Sequence, residues 1–577
     1  MMPVKTRLRW FKAGAILLPV LLLLCAELVL RVFDYGHDTS LFVRDPDDAS
    51  FYVMNPFASS IYFSDTVNAT KGNIERFPVR KASGTLRIFV LGESTTAGYP
   101  YMHNGSFHRW LQYRLLHTFP DKEIEIINVS LTAVNSYTVL GFGRQVLDYQ
   151  PDAVLVYTGH NEYYGALGVG STSRIGGSRS LVRAMLWLRR FRLVQFLEGG
   201  IRYFRSSRSG SSVDTRENLM QRMAAEQTIP YGSPAYYAGV RQFRENMDAL
   251  CRLYRDRRVP VFMSTLVSNE RDQAPLISGR AAGGRNRDTD GDPGTAGGQF
   301  RLGDSLYRAG DYVRAKAAFV QAKELDLLRF RAPDTLNVII RQLCGSYREG
   351  VHLVDARSVF EGHSPHGILG RETLLEHVHP NLYGYALLSE AFYRSMKEAG
   401  IFTAETAGGT GSAGATVELG ATVKAGAGEM TLDGLLQRMP VTRVDSLYGA
   451  YQVMMLKTRW PFHDVIPAGY VRGNSLEEQL AGALAVGRIS WLDAMDQLFK
   501  YRLRTGDKGG ALQAAEAVML EHPENATYLA YCGRLSFEAG YPGEGVAYFK
   551  NLYRRDPSAV NARSLSMALY KLQNGIK

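Results

Sequence analysis

Apolar residues are grouped along the chain in two ways. Short continuous runs recur from Arg87 onward: RIFVLG (87–92), EIEIINVS (123–130), AVLVYTG (153–159), VPVFMSTL (259–266) and VHLVDA (351–356). The stretches between them carry helical spacing, as in WLQYRLLHTF (110–119) and around Tyr137 to Tyr149. A run of this length with no polar alternation reads as a strand covered on both faces, the situation of a parallel sheet flanked by helices. Five such runs separated by helices predict an α/β layered domain whose sites lie at the C-terminal ends of the strands.

The second grouping is a single long run at the start. Residues 1–12 carry Lys5, Arg7, Arg9 and Lys12 and no acid, and an apolar stretch follows from Ala13 to about Phe33. That length spans a bilayer, and the flanking charge predicts an N-terminus kept in the cytoplasm. Residues 1–33 are therefore expected to be an uncleaved transmembrane anchor, with everything downstream periplasmic or extracellular. Glu27 and Arg31 fall inside the run at i,i+4, where they pair near its outer end. The competing signal peptide lacks a small-x-small cleavage site, and Leu24 before Cys25 is a poor lipoprotein box.

Residues 34–84 are polar and aromatic without periodicity and read as a linker that packs on the surface of the first domain. Residues 168–180 are rich in Gly and Ser. The segment 181–205 then mixes bulky apolar residues with arginines. It reads as a helix packed on the domain with solvated arginines, the alternative being an amphipathic helix on an anionic membrane surface. Residues 270–298 read as a flexible insertion, and residues 401–430, rich in Gly, Ala and Thr, as a flexible linker. These features predict a domain over 85–400 and a separate helical domain over 431–577.

Repeat spacing points to the nature of that second domain. Gly506 to Gly540 and Pro523 to Pro557 are both 34 residues apart, the tetratricopeptide period. A single copy is expected upstream as a helical hairpin at 299–326, where Gly303, Gly310, Tyr312, Ala315, Phe319 and Ala322 keep the same offsets. Such helices either present a concave face to a protein partner or pack as an appendage.

At 577 residues the chain exceeds one core, and 45% hydrophobic with 21% charged residues is a globular composition. The net charge of +11 comes without zinc spacing, a basic-region helix or RNA-binding aromatics, so no nucleic-acid partner is expected. Cys25, Cys251, Cys344 and Cys532 are widely spaced and predict neither a disulfide framework nor a metal site.

The chemistry begins at Gly92-Glu93-Ser94-Thr95, where the first buried strand ends and presents Ser94. NVSLTAVNS (128–136) follows the second strand with small residues, and Gly159-His160-Asn161 follows the third. LLEHVHPNLYGY places Glu376 three residues before His379. A serine, an asparagine and a carboxylate-x-x-histidine at the ends of a sheet suit acyl transfer. His379 would take the proton of Ser94 and Glu376 would orient the imidazole. Asn161 and the amides of Ser94 and Ala133 would form the oxyanion hole. Asp355, at the end of the last strand, is a rival for orienting His379. His377 reads as a solvated bystander, and His160 and Glu162 as pocket-rim or helix-capping residues. No metal-ligand spacing or cofactor motif is present, so neither a metal nor a cofactor is expected.

The ordered blocks GES, a small-residue block, G-x-N and E-x-x-H-P resemble the SGNH (GDSL-like) hydrolase superfamily over residues 85–395. The resemblance implies a flavodoxin-like three-layer sandwich. It also implies Ser94 as nucleophile, Glu376 and His379 as the rest of a triad, and Ala133 with Asn161 in the oxyanion hole. Glu93, Ala133 and Glu376 stand where the family pattern has Asp, Gly and Asp. The implied substrate is an acyl or O-acetyl ester of a lipid or glycan. An O-acyltransferase acting on an envelope polysaccharide with the same residues, and a silent repeat-bearing scaffold, are the rival readings.

Overall fold

The computed structural model describes residues 4–63, 69–73, 75–171, 179–209, 228–282, 292–402, 428–466 and 473–575. Residues 283–291 of the expected insertion at 270–298 and nearly all of the linker at 401–430 lie outside the described residues.

The chain opens with α1 (Val4–Val32), in which Trp10–Val32 has a mean hydropathy of 2.5 and none of its window is buried. By length and composition this helix suits a single membrane span or a signal sequence. Three short strands follow, β1 (Phe42–Arg44), β2 (Phe51–Met54) and β3 (Arg76–Pro78), paired antiparallel in that order. Segment 34–84 thus holds a small sheet in addition to surface-packing chain. At three or four residues per strand, its alternation is too brief to register as a pattern. Phe42 and Phe77 carry it into the main core, with ring centroids 4.8 Å apart and Phe77 5.7 Å from Phe89.

The main sheet contains β4 (Leu86–Gly92), β5 (Ile124–Asn128), β6 (Ala153–Tyr157), β7 (Val261–Ser264) and β8 (Val351–Val354). Every pairing is parallel and the order is β5-β4-β6-β7-β8, the flavodoxin-like 2-1-3-4-5 arrangement. All seven residues of β4 and all five of β6 are buried, as continuous apolar runs require. The connecting helices are α2 (Ser94–Ala97), α3 (Phe107–Thr118), α4 (Ser136–Val146), α5 (Arg179–Leu188), α6 (Arg192–Ser209) and α7 (Pro234–Asp256). They continue as α8 (Ala296–Arg308), α9 (Tyr312–Leu325), α10 (Asp334–Ser346), α11 (Ala356–Gly362) and α12 (Leu382–Glu398). α4, α7 and α10 pack together on the sheet, as do α3, α11 and α12.

The C-terminal region is all helical: α13 (Leu432–Arg438), α14 (Arg443–Lys457), α15 (Leu476–Ala485), α16 (Trp491–Arg504), α17 (Lys508–Glu521), α18 (Ala526–Glu538), α19 (Pro542–Arg555) and α20 (Ala559–Gln573). From α15 on, each helix packs on the next. The repeat offsets have a common physical origin. In the α8–α9 hairpin Gly303 lies under the ring of Phe319, and in the α18–α19 pair Gly533 lies under Phe549. In both pairs the aromatic follows its glycine by the same number of residues.

A methyl group added at Gly303 or Gly533 would meet the facing ring at 2.8 Å. Gly533→Ala and Gly303→Ala are therefore expected to lower stability by about 1–3 kcal/mol through overpacking, read as a shift in the urea midpoint. The exposed Gly543, with open space around it, is the control position.

Candidate active site

β4 ends at Gly92 because nothing larger fits: a Cβ there would come within 2.2 Å of the Tyr157 carbonyl and of Thr96 Oγ1. The chain then turns through Glu93, in extended conformation, into α2, whose first residue is Ser94. Tyr385 on α12 holds this turn from below, its hydroxyl donating to the carbonyls of Thr95 at 3.1 Å and Tyr99 at 2.6 Å. Ser94 is left partly exposed at the C-terminal edge of the sheet.

His379 comes to the same edge from the segment between β8 and α12. Its Nε2 is 2.8 Å from Ser94 Oγ, and its Nδ1 lies against Glu376 Oε1. A carboxylate only accepts, so the proton sits on Nδ1 and Nε2 is free to accept from the serine hydroxyl. The Glu376 carboxylate also accepts the backbone N–H groups of His377 at 2.6 Å and His379 at 3.1 Å. Burial pulls the His379 imidazole down to about 3, which favours its neutral form. The Tyr99 ring packs 4.7 Å from the imidazole.

Asn161 sits in the loop after β6. Its backbone N–H donates to Glu93 Oε2 at 2.9 Å, while Glu93 Oε1 accepts from Gly159 N at 2.9 Å and Thr158 Oγ1 at 2.7 Å. The Asn161 side chain has no hydrogen bond to a described residue. Burial raises Glu93 to about 7, while the hydrogen bonds from Asn161, Thr158, Gly159 and His160 act in the opposite direction. Ala133, in the loop after β5, has φ +58, the left-handed region that favours glycine. Its carbonyl accepts from Ala166 N at 2.9 Å.

Four further residues lie around this centre, and of these His377 departs from expectation. His377 is buried rather than solvated, at 3% exposure. Its Nδ1 contacts Glu376 Oε2 without hydrogen-bond geometry, and its ring faces Phe462 and Phe330. Asp355 is occupied elsewhere, capping α11 and pairing with Arg341 at 2.9 Å. His160 lies inside the packing between Tyr157 and Ala332 N. Glu162 serves the preceding helix: it accepts from Ser136 N at 3.2 Å and Ser136 Oγ at 2.8 Å at the start of α4.

Sequence reasoning did not find Tyr99, Trp460 or Phe462. The Tyr99 hydroxyl donates to the Gln452 carbonyl on α14 at 3.1 Å, and Trp460 packs against Phe330. The C-terminal helical region therefore supplies part of the wall around the serine and histidine.

Among the described residues, two groups of side chains bring three ligand-type atoms within 4.8 Å of one another: Glu376, His377 and His379, and His117, Glu516 and Glu544. In the first, both imidazole Nδ1 atoms face one carboxylate and His379 Nε2 faces Ser94. In the second, Arg438 pairs with Glu544 at 2.5 Å and the Tyr548 hydroxyl donates to Glu516 at 2.7 Å, so protein groups already answer the acids.

No family model matches this sequence, and no curated protein matches it. Among solved structures it is similar to LAE5, an alpha/beta hydrolase enzyme from the metagenome of Lake Arreo, at 13% identity and TM-score 0.28 over 56% of this chain and 98% of that one. It is similar to a lipase/acylhydrolase from Enterococcus faecalis at 13% identity and TM-score 0.27, over 54% and 96%. A catalytic mutant of Axe2, an acetylxylan esterase from Geobacillus stearothermophilus, aligns at 10% identity and TM-score 0.28, over 55% and 96%. At these values the chemistry has to be read from the chain's own geometry.

Burial raises Glu162 from 4.5 to about 8. The folded protein then holds a proton that the unfolded chain releases near 4.5, so this group's contribution is full below that pH and is lost as pH rises through about 8. Glu162→Gln removes the titration. Its urea midpoint relative to the parent is expected to rise steadily from pH 5 to pH 8, and a pH-independent difference would contradict the assignment.

Proposed function

We propose that this chain is a serine esterase of SGNH type, held at a membrane by α1 with its catalytic face outside the cytoplasm, cleaving an acyl or acetyl ester of a glycan or lipid. The observation that carries the reading is the 2.8 Å approach of Ser94 Oγ to His379 Nε2 with Glu376 on the opposite nitrogen. Three side chains from two distant segments satisfy the order alcohol, base, acid that acyl transfer needs.

In this reading Ser94 Oγ attacks the ester carbonyl and its proton passes to His379 Nε2. Glu376 stabilises the imidazolium that forms. The negative oxygen of the tetrahedral intermediate is met by the amides of Ser94 and Ala133 and the side chain of Asn161, each donor contributing about 2.7–4 kcal/mol. Collapse breaks the ester C–O bond, the leaving alcohol takes the proton from His379, and the acyl group remains on Ser94. Water activated by the now neutral His379 releases the acid. A tetrahedral centre on Ser94 requires the hydroxyl to reach solvent, and Ser94 is more exposed than the buried residues on either side of it.

The orientation rests on the charges at the start of the chain. Lys5, Arg7, Arg9 and Lys12 precede an apolar span with Asp34 and Asp38 soon after it, the asymmetry that keeps an N-terminus in the cytoplasm. The helical C-terminal region offers a surface for a protein partner beyond the part that closes over Tyr99.

Ser94→Ala is expected to lower turnover of a short-chain aryl ester about a thousandfold or more and to abolish labelling by a fluorophosphonate, with an unchanged circular dichroism spectrum. Undiminished turnover would end the proposal. Glu376→Gln, which leaves an amide facing the histidine, should lower kcat by about 10⁴ with KM much less affected; a loss confined to KM would remove Glu376 from the triad.

A further inference from the structure

We propose that α5 and α6 form a second membrane contact, lying in the outer interface of the same bilayer that α1 crosses, with their apolar side chains among the acyl chains and their arginines at anionic headgroups. The inference rests on the reading of α1 as a membrane span and extends it from one crossing helix to a three-helix platform.

The argument begins at Glu27. Its carboxylate pairs with Arg31 at 2.8 Å, as the i,i+4 spacing provides, and also accepts the first two backbone N–H groups of α6, Arg192 N at 3.1 Å and Leu193 N at 2.8 Å. A helix N-terminus carries partial positive charge and unpaired donors, so it answers a carboxylate that would otherwise be costly inside an apolar span. Five residues separate Glu27 from the end of α1 at Val32, about 7.5 Å at 1.5 Å per residue. If α1 fills the hydrocarbon core, the start of α6 is held at that depth, within the roughly 5–10 Å to which interfacial helices sink.

Further contacts keep α6 there. Gln195 accepts from His37 N at 2.9 Å and donates to the His37 carbonyl at 3.2 Å, and the Phe196 ring meets Tyr35 edge-on at 5.3 Å. Arg189, between the two helices, donates to the carbonyls of Ile61 and Phe63 in the body of the protein. The outer end of α1, α6 and the sheet domain are thereby fastened to one another.

The exposed side of this platform is apolar. On α6, Leu197, Ile201 and Phe204 are 54%, 54% and 71% exposed and recur at i, i+4 and i+7, one stripe of a helix. On α5, Leu181 and Trp187 are 63% and 58% exposed. A packed surface helix hides such a stripe, and here it stands open beside a helix whose own apolar surface needs a bilayer. Arg183 and Arg190 are exposed on the same segment. That pairing of apolar stripe with cations suits a phospholipid surface carrying net negative charge.

The test uses the full chain with Cys25→Ala, in which the remaining Cys251, Cys344 and Cys532 are buried from labelling, reconstituted in vesicles of phosphatidylcholine and phosphatidylglycerol. Single cysteines replacing Leu22, Leu197, Ile201 or the exposed Val313 each carry an environment-sensitive fluorophore. Labels at 197 and 201 are expected to be quenched severalfold more by a lipid-borne quencher than by a water-soluble one, as at 22, with the reverse at 313. Lipid quenching at 22 with water access at 197 and 201 would overturn this inference and leave the single span standing. Absence of lipid quenching at 22 would overturn the span and the platform together. Labels at 197 and 201 reached by neither quencher would mean that protein covers the stripe, and would also overturn it. Leu197→Ser with Ile201→Ser, which removes the stripe without touching Glu27, should reduce the quenching of a label at Trp187→Cys.

Discussion

The carboxylate of Glu93 is the constraint on which the Ser94 edge of the sheet depends. It leaves the end of β4 one residue before Ser94 and reaches across to the loop after β6, accepting from Thr158, Gly159 and Asn161 at 2.7–2.9 Å. Nearly all of it is buried, at 3% exposure, so these donors are what make its position tolerable. Two loops that neighbouring strands would otherwise present independently are joined at one point. Ser94 and Asn161 are thereby indexed to each other through the sheet register, in which Gly92 pairs with Tyr157. Glu376 acts the same way at the other loop, its two oxygens receiving two backbone amides and facing two imidazoles.

The wall above this edge comes from far along the chain. The turn after Ser94 runs through Tyr99 and His103, and both are held by the C-terminal helices. Tyr99 bonds the Gln452 carbonyl, while His103 meets Glu521 at 2.5 Å and stacks on Trp491 at 5.0 Å. Glu521 also binds Arg109 on α3 at 2.8 Å, and its carboxyl is held well below the usual range by Arg109 and His103 against the opposing effect of burial. A buried acid shared by an arginine and a histidine is costly to separate. The helical region is therefore tied by packed contacts to the turn that follows Ser94.

The legible parts of the molecule were those written in local pattern. Five strands and their order of chemistry could be read because a buried parallel strand is an uninterrupted apolar run, and because glycine, serine and E-x-x-H sit at fixed offsets from strand ends. Gly303 and Gly533 could be read because a helix pair that closes over a ring has room for no Cβ there. What stayed hidden depends on contacts between distant residues. His377 looked solvated because nothing nearby in sequence covers it, yet Phe330 and Phe462 do. The same applies to β1–β3, whose strands are too short to show a period, and to Glu27, whose partner on α6 lies more than a hundred residues away.

Ala133 shows where sequence and geometry pull against each other. A left-handed backbone costs a residue with a Cβ about 1–2 kcal/mol, and glycine would avoid that. Its persistence requires surroundings that leave no alternative. Ala166 N holds its carbonyl at 2.9 Å, and the start of α4 three residues on is fixed by Asn135, which caps Tyr137 N, and by Glu162, which binds Ser136. The direction of the residue 133 amide is thus dictated from both sides, and the methyl group rides on a backbone that is not free to relax. The strained turn at Ala133 is held by the frame of α4 and Glu162.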